Sequence, residues 1–199
     1  MTLTFKLRAA DIDDALCLGV LATQVFLDTY AKQGIRQAIA LEAQRAFSTE
    51  AMRAVLKAPN TSLWVAERAG HLIGFAQWTL GTTQALVHGQ RPAELDRLYV
   101  QEPFTRAGVG SALLRQAEVA AAQAQSTVLW LSPWVHNERA LAFYARHGYS
   151  HLGLTTFVME GEAIDNYVVA KALHLMVRAS NAKPRATWPS RPPTSPSPE

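Results

Sequence analysis

At 199 residues, 49% hydrophobic and 18% charged, the chain can fill one folded domain with a core and scarcely two. The net charge of +3 comes from residues 174–199, where Arg178, Lys183, Arg185 and Arg191 face only Glu199. Residues 1–173 carry 15 charges of each sign, which excludes a basic face for nucleic acid. A single cysteine, no basic and apolar leader at Met1–Lys6 and no apolar run near the roughly 18 residues a bilayer needs lead to the expectation of a cytoplasmic chain without disulfides or membrane contact.

Thr4–Leu7 reads as a short strand. Asp11 can cap a helix to about Lys32, with Ile12, Ala15, Leu16, Gly19, Val20, Thr23 and Phe26 in an i, i+3/i+4 rhythm. Cys17 falls in this stretch and is expected as a buried, unreactive thiol. A second helical region spans about Ile35–Lys57, with a break near Ser48. Leu63–Arg68, a turn at Ala69-Gly70 and His71–Leu80 form a hairpin. Ala93–Val100 is a strand, Gly110–Gln125 a helix and Val128–Ser132 a short buried strand. Asn137–His147 is a helix stopped by Gly148, and Leu152–Val158 and Asn166–Ala172 close the set. Trp78 and Trp130 are expected in the core, while Trp134, after Pro133 at a strand end, could line a pocket.

The order β, α, α, β, β, β, α, β, α, β, β implies a mixed α/β sheet with helices on both faces. Ala93–Val100 and Val128–Ser132 should form a parallel pair across a helical crossover. Residues 1–175 are expected to form one domain. Residues 176–199 form a Pro/Arg/Ser-rich appendage: 183–199 hold six of the ten prolines.

The segment AELDRLYVQEPFTRAGVGSALL carries the chemistry. A strand ends at Val100, and Arg106-Ala107-Gly108-Val109-Gly110-Ser111 leads into a helix. The unpaired N–H groups of a helix start attract an anion, glycines let backbone approach closely, and Arg106 adds a fork of donors. Such a loop suits a pyrophosphate. The Walker reading fails because Gly-Lys-Ser/Thr is absent. The dinucleotide reading fails because Leu113 stands where the third glycine belongs.

In this register, Thr105-Arg106-Ala107-Gly108-Val109-Gly110 resembles the Q/R-x-x-G-x-G/A cofactor motif of the GNAT N-acetyltransferase superfamily. Thr105 departs from its first position, and Arg106, one place later, is expected to compensate for the missing contact. Leu98-Tyr99-Val100 is similar to the family's L-Y-V at the bulged end of its fourth strand. Asn137-Glu-Arg-Ala140-Leu-Ala-Phe143-Tyr144-Ala-Arg-His-Gly148-Tyr149 resembles its N-x-x-A-x-x-F-Y-x-x-x-G-F/Y. Phe26–Tyr30 bears a weaker likeness to members related to polyamine acetyltransferases. The resemblance spans about residues 3–172. It implies a mostly antiparallel sheet of six to seven strands with one splayed parallel pair. It also implies acetyl-CoA as co-substrate, its pantetheine lying beside Leu98, Tyr99 and Val100 and bonded by Asn137, which also caps its helix. The Tyr144 hydroxyl would point at the sulfur.

Acyl transfer to an amine by direct attack needs no covalent enzyme intermediate, which agrees with the lack of a Ser/His/Asp or Cys/His set. Tyr144 suits protonation or hydrogen bonding of the leaving thiolate. Glu94 and Asp96 share strand parity, so either could serve as base through water; Glu94 is the candidate carried forward, against the alternative of a solvated or salt-bridged carboxylate. His147 and His151 straddle Gly148-Tyr149 and do not share a face, so no metal is expected, and His136 reads as a surface histidine. The expected acceptor is a small-molecule amine such as a polyamine or amino-acid-like compound. A peptide acceptor and a non-catalytic coenzyme A sensor remain the alternatives, and a homodimer is admitted.

Overall fold

Helix-start chemistry is written into Asp11–Asp14. In a computed structural model, which describes residues 3–159 and 161–173, the Asp11 carboxylate accepts from the Asp13 N–H at 3.0 Å, and the Asp11 N–H donates to Asp14 at 2.9 Å. This reciprocal cap opens a short 3₁₀ turn over Ile12–Asp14 that runs into α1, Ala15–Tyr30. Strand β1, Lys6–Ala9, sits two residues later than expected. Its Arg8 grips both oxygens of Asp14, at 2.6 and 2.7 Å, tying strand to helix.

The apolar rhythm of α1 mis-assigned part of its face. Ala15, Leu18, Gly19, Leu21, Ala22 and Phe26 are buried, whereas Leu16 and Val20 are 61% and 65% exposed. Cys17 is exposed too, which corrects the expectation of a buried thiol. Nearly every residue of Ala15–Val20 is apolar, so periodicity alone could not choose between faces.

The break at Ser48 is real. α2 spans Gln37–Phe47 and α3 spans Thr49–Lys57, and the Ser48 hydroxyl accepts from the Ala51 N–H at 3.1 Å. α1 and α2 pack backbone to backbone: a Cβ built on Gly19 would lie 2.4 Å from the Phe47 carbonyl oxygen.

The remaining elements are β2 (Thr61–Arg68), β3 (His71–Leu80), β4 (Ala93–Val100), α4 (Val109–Gln123), β5 (Val128–Leu131), α5 (Glu138–Arg146), β6 (Ser150–Met159) and β7 (Glu162–Ala172). The last two strands are longer than the sequence suggested. Seven strands form one sheet in the order β1-β2-β3-β4-β5-β7-β6, antiparallel except for β4 with β5. One face carries α4 and α5: Val109, Leu113, Leu114, Ala117 and Ala121 of α4 are all fully buried against Ala76, Trp78, Leu95 and Leu129. Truncating Leu113 or Leu114 to Ala should cost about 2–5 kcal/mol. The other face carries α1–α3 over Leu63, Val65 and Phe75. The expected appendage lies outside the described residues.

Candidate active site

The parallel pairing of β4 and β5 is two residues long, Ala93 with Leu129 and Glu94 with Trp130. Beyond Glu94 no ladder pair joins the strands, so from Leu95 to Val100 the edge of β4 turned toward β5 is without a neighbouring strand.

The same strand changes parity. Trp78 of β3 faces Leu95 and Gln77 faces Arg97, so Asp96 is the extra residue of a β-bulge. Ala93 and Leu95 pack on the α4 side, and after the bulge Leu98 and Val100 do so. Glu94, Asp96, Arg97 and Tyr99 all face α1 and α2. Consistent with this, Asp96 accepts from the Thr79 hydroxyl at 2.9 Å, Arg97 donates to Gln77 at 2.5 Å, and Tyr99 meets the rings of Phe75 and Phe47. The expected common face of Glu94 and Asp96 is therefore present. Arg97 was missed as a member of it. The signal was in the sequence: apolar residues at 93 and 95, then at 98 and 100, mark a slip in a period of two.

Burial and the charge of Asp96 push the Glu94 carboxyl up to about 7. Asp96 is raised by burial, against the lowering effects of Thr79 and Arg97. Trp130, the strand neighbour of Glu94, has a buried indole N–H with no hydrogen-bond partner among the described residues.

Tyr144 of α5 packs with the α4-side core, while Tyr99 of β4 packs with the α1–α2 core, and Tyr99 adds, secondarily to burial, to the raised pKa of Tyr144. Tyr30, at the end of α1, acts on both. For all three, burial is the main cause and raises the phenol above its ordinary value of 10. Tyr30 also meets Trp134, with ring centroids 5.4 Å apart.

The loop before α4 carries two residues in the left-handed region. Arg106 and Gly108 take positive φ, 59° and 84°, the conformation from which nests of amides are built. Open space surrounds Gly108, which precedes Val109 as N-cap without a side-chain cap. The first helical bond runs from the Ala112 N–H to the Gly108 carbonyl, so Val109, Gly110 and Ser111 present free N–H groups. Ala107 is partly buried, and Arg106 is exposed with no ion pair among the described residues. Thr105 spends its hydroxyl on the Glu102 carbonyl at 2.8 Å. Ser111 bonds His147, at 2.9 Å, rather than standing free.

Asn137 caps α5, its side-chain oxygen accepting from the Ala140 N–H at 3.1 Å, which leaves its amide nitrogen as a donor. Phe143 is partly buried and lies 3.6 Å from where a Gly110 Cβ would be, so α4 and α5 meet beside the loop. His136 is exposed, and no group of three His, Cys, Asp or Glu among the described residues could hold a metal. No helix among them is long and apolar enough to cross a membrane.

Residues 32–149 match the model of the acetyltransferase (GNAT) family. An uncharacterized N-acetyltransferase from the pepI 3′ region of Lactobacillus delbrueckii subsp. lactis is 24% identical over 153 residues, covering 77% of this chain and 88% of that protein. An uncharacterized N-acetyltransferase of Mycobacterium tuberculosis is 28% identical over 116 residues, 58% of this chain and 69% of its own. Among solved structures, the PaiA N-acetyltransferase of Thermoplasma acidophilum in complex with coenzyme A superposes with a TM-score of 0.67 at 21% identity, over 85% of this chain and 99% of its own. Arabidopsis thaliana NAA60 with a bisubstrate analogue gives 0.63 at 17% identity, over 86% and 100%.

Proposed function

The chain belongs to the acetyltransferase (GNAT) family, and from that premise we propose that it transfers the acetyl group of acetyl-CoA to the primary amine of a small molecule. The observation that carries this reading is the fork itself: β4 and β5 part after Glu94, with the buried Tyr144 packed on the α4 side of the sheet and the partly buried Tyr99 on the other. Coenzyme A supplies the acetyl group as a thioester, an acyl donor with a good leaving group.

The residues of the chain divide the work. Free N–H groups at Val109, Gly110 and Ser111, the positive-φ turns at Arg106 and Gly108, and the Arg106 guanidinium suit the diphosphate. Ala107 spaces those two turns. The unpaired edge at Leu98, Tyr99 and Val100 suits the amides of a pantetheine arm, with a main-chain N–H there polarising the thioester carbonyl. The Asn137 amide is the donor from the α5 side.

Glu94, at about 7, is half ionised at neutral pH and takes the proton that the attacking nitrogen sheds as its bond to the acetyl carbon forms. Tyr144 donates a hydrogen bond to the sulfur as the carbon–sulfur bond breaks. Burial keeps Tyr144 protonated above 10. A thiol titrates near ~8.5, so full transfer would be uphill by at least ~2 kcal/mol, and Tyr144 stabilises the thiolate rather than neutralising it.

A small acceptor is favoured by what stands around the polar face of β4. Tyr30 packs on Trp134, Ile164 of β7 packs on the α1–α2 core, and Arg36 is ion-paired with Glu162 at the start of β7. The last two contacts tie the β6–β7 hairpin to α1 and α2, an arrangement that favours a small acceptor over a long one. Calorimetry with coenzyme A, followed by a thiol-release assay across amines and peptides, tests the reading. Tight coenzyme A binding with turnover on small amines is expected; absent binding, or turnover on peptides alone, overturns it.

A further inference from the structure

Of the four side chains that β4 presents to α1 and α2, acyl transfer accounts for three: Glu94, Asp96 beside it, and Tyr99. Arg97 is left over. It reaches this face only because the bulge at Asp96 shifts the parity of the strand. It is half-buried, its guanidinium lying 5.3 Å from the centroid of the Phe47 ring, donating to Gln77, itself 5% exposed, and also interacting with the Tyr99 hydroxyl. Among the described residues, no carboxylate lies within 4.0 Å of its nitrogens. Asp96 offsets its charge only from a distance, being bonded to Thr79 instead.

Arg8 shows what this chain otherwise does with a half-buried guanidinium. Its nitrogens are within 2.8 Å of carboxylate oxygens on both Asp14 and Glu67. Partly desolvated cations are normally paired in this way, because water no longer compensates them fully. Beyond Gln77 and Tyr99, Arg97 has no side-chain hydrogen-bond partner among the described residues, and its remaining donors form a fork that matches a carboxylate in two parallel bonds.

Resting on the acetyltransferase reading, we infer that the acceptor is an amino acid or close relative: its amine lies at Glu94 and its carboxylate is bound by Arg97. Three strand residues at ~3.3 Å each, shortened by the bulge, separate the two positions by roughly 7–10 Å. Two inward-reaching side chains leave between them the length of a molecule whose amine and carboxylate are a few carbons apart. The Phe47 ring holds the guanidinium plane in place, and Tyr30 and Trp134 supply apolar cover for a side chain.

The test compares matched acceptors on the full-length protein: amino acids, their carboxamides, and diamines of similar length. Carboxylate-bearing acceptors should exceed the matched amides in kcat/KM by about 10- to 100-fold, the range expected when a charge-assisted pair is lost. Arg97→Lys and Arg97→Gln should erase that preference while coenzyme A affinity stays the same. Gln77→Glu supplies an internal carboxylate to Arg97 and should raise KM for the amino acid with kcat little changed. Equal or better turnover of amides or diamines by the wild type overturns the inference, as does coenzyme A binding without turnover on any member of the panel. Failure to bind coenzyme A defeats the acetyltransferase reading instead.

Discussion

Replacing Glu94 with Gln should stabilise the protein while disabling it. In the fold this carboxyl titrates at about 7, against 4.5 for an ordinary glutamate. The gap of about 2.5 pH units, at 1.36 kcal/mol each, is worth at most about 3 kcal/mol, and solvent reaching the partly exposed side chain brings this to roughly half. The sign follows from which state holds the proton. Below pH 4.5 both folded and unfolded chains are protonated at this site, and the native burial carries no penalty. Between 4.5 and 7 the unfolded chain ionises first, so stability falls as pH rises, and above 7 the whole cost is present. Gln is neutral throughout. Urea unfolding of wild type and Glu94→Gln should therefore agree near pH 4.5 and diverge by about 1–2 kcal/mol at pH 8.5, with the variant more stable. In the same preparation, turnover should drop by about 10²- to 10⁴-fold, and the wild-type rise in rate through pH 7 should vanish. A variant with no stability gain at high pH would show that Glu94 is solvated, and the base assignment would fall with it.

Three further outcomes are expected. Tyr144→Phe removes the hydroxyl proposed to bond the sulfur, and should cut kcat by about 10²-fold or more with acetyl-CoA affinity within a few-fold; unchanged single-turnover rates would remove it from the chemistry. Gly108→Ala forces a side chain to φ 84°, at about 1–2 kcal/mol, and should lower both thermal stability and coenzyme A affinity in calorimetry. Gly110→Ala, whose Cβ would meet Phe143 and Val100 at 3.6 and 3.8 Å, should do neither. Gly19→Ala sets a methyl against the Phe47 carbonyl and should destabilise by about 1–3 kcal/mol in chemical denaturation, without changing the pH profile of any remaining activity.

Much of this architecture could be read before any coordinates. The glycine loop into α4, the cap at Asn137, the stop at Gly148 and the break at Ser48 each depend on local backbone chemistry, which a sequence displays directly. The face of α1 could not be read, since a run of apolar residues has no polar side to orient it, and Leu16, Cys17 and Val20 went to the wrong surface. Arg97 and the aromatic meeting of Tyr30 with Trp134 depend on which strands part and which helix covers them. Such long-range pairings leave little local trace, although the slip in alternation between Leu95 and Leu98 was visible. The titration of Glu94 near 7 was likewise out of reach, because it comes from burial and from Asp96 held beside it.

The contact between Gly19 and the Phe47 carbonyl has a consequence for how acceptor choice can evolve. Two helices touching main chain to main chain have no slack to draw closer, and the kink at Ser48 follows within one residue, so the wall carrying Phe47 is a fixed gauge. With the acceptor placed against this wall, as proposed, descendants of this sequence that favour larger or smaller acceptors would trade single side chains at the rim, Tyr30 and Trp134 first, instead of sliding the helices. Shifts in preference along such a lineage should come in discrete jumps.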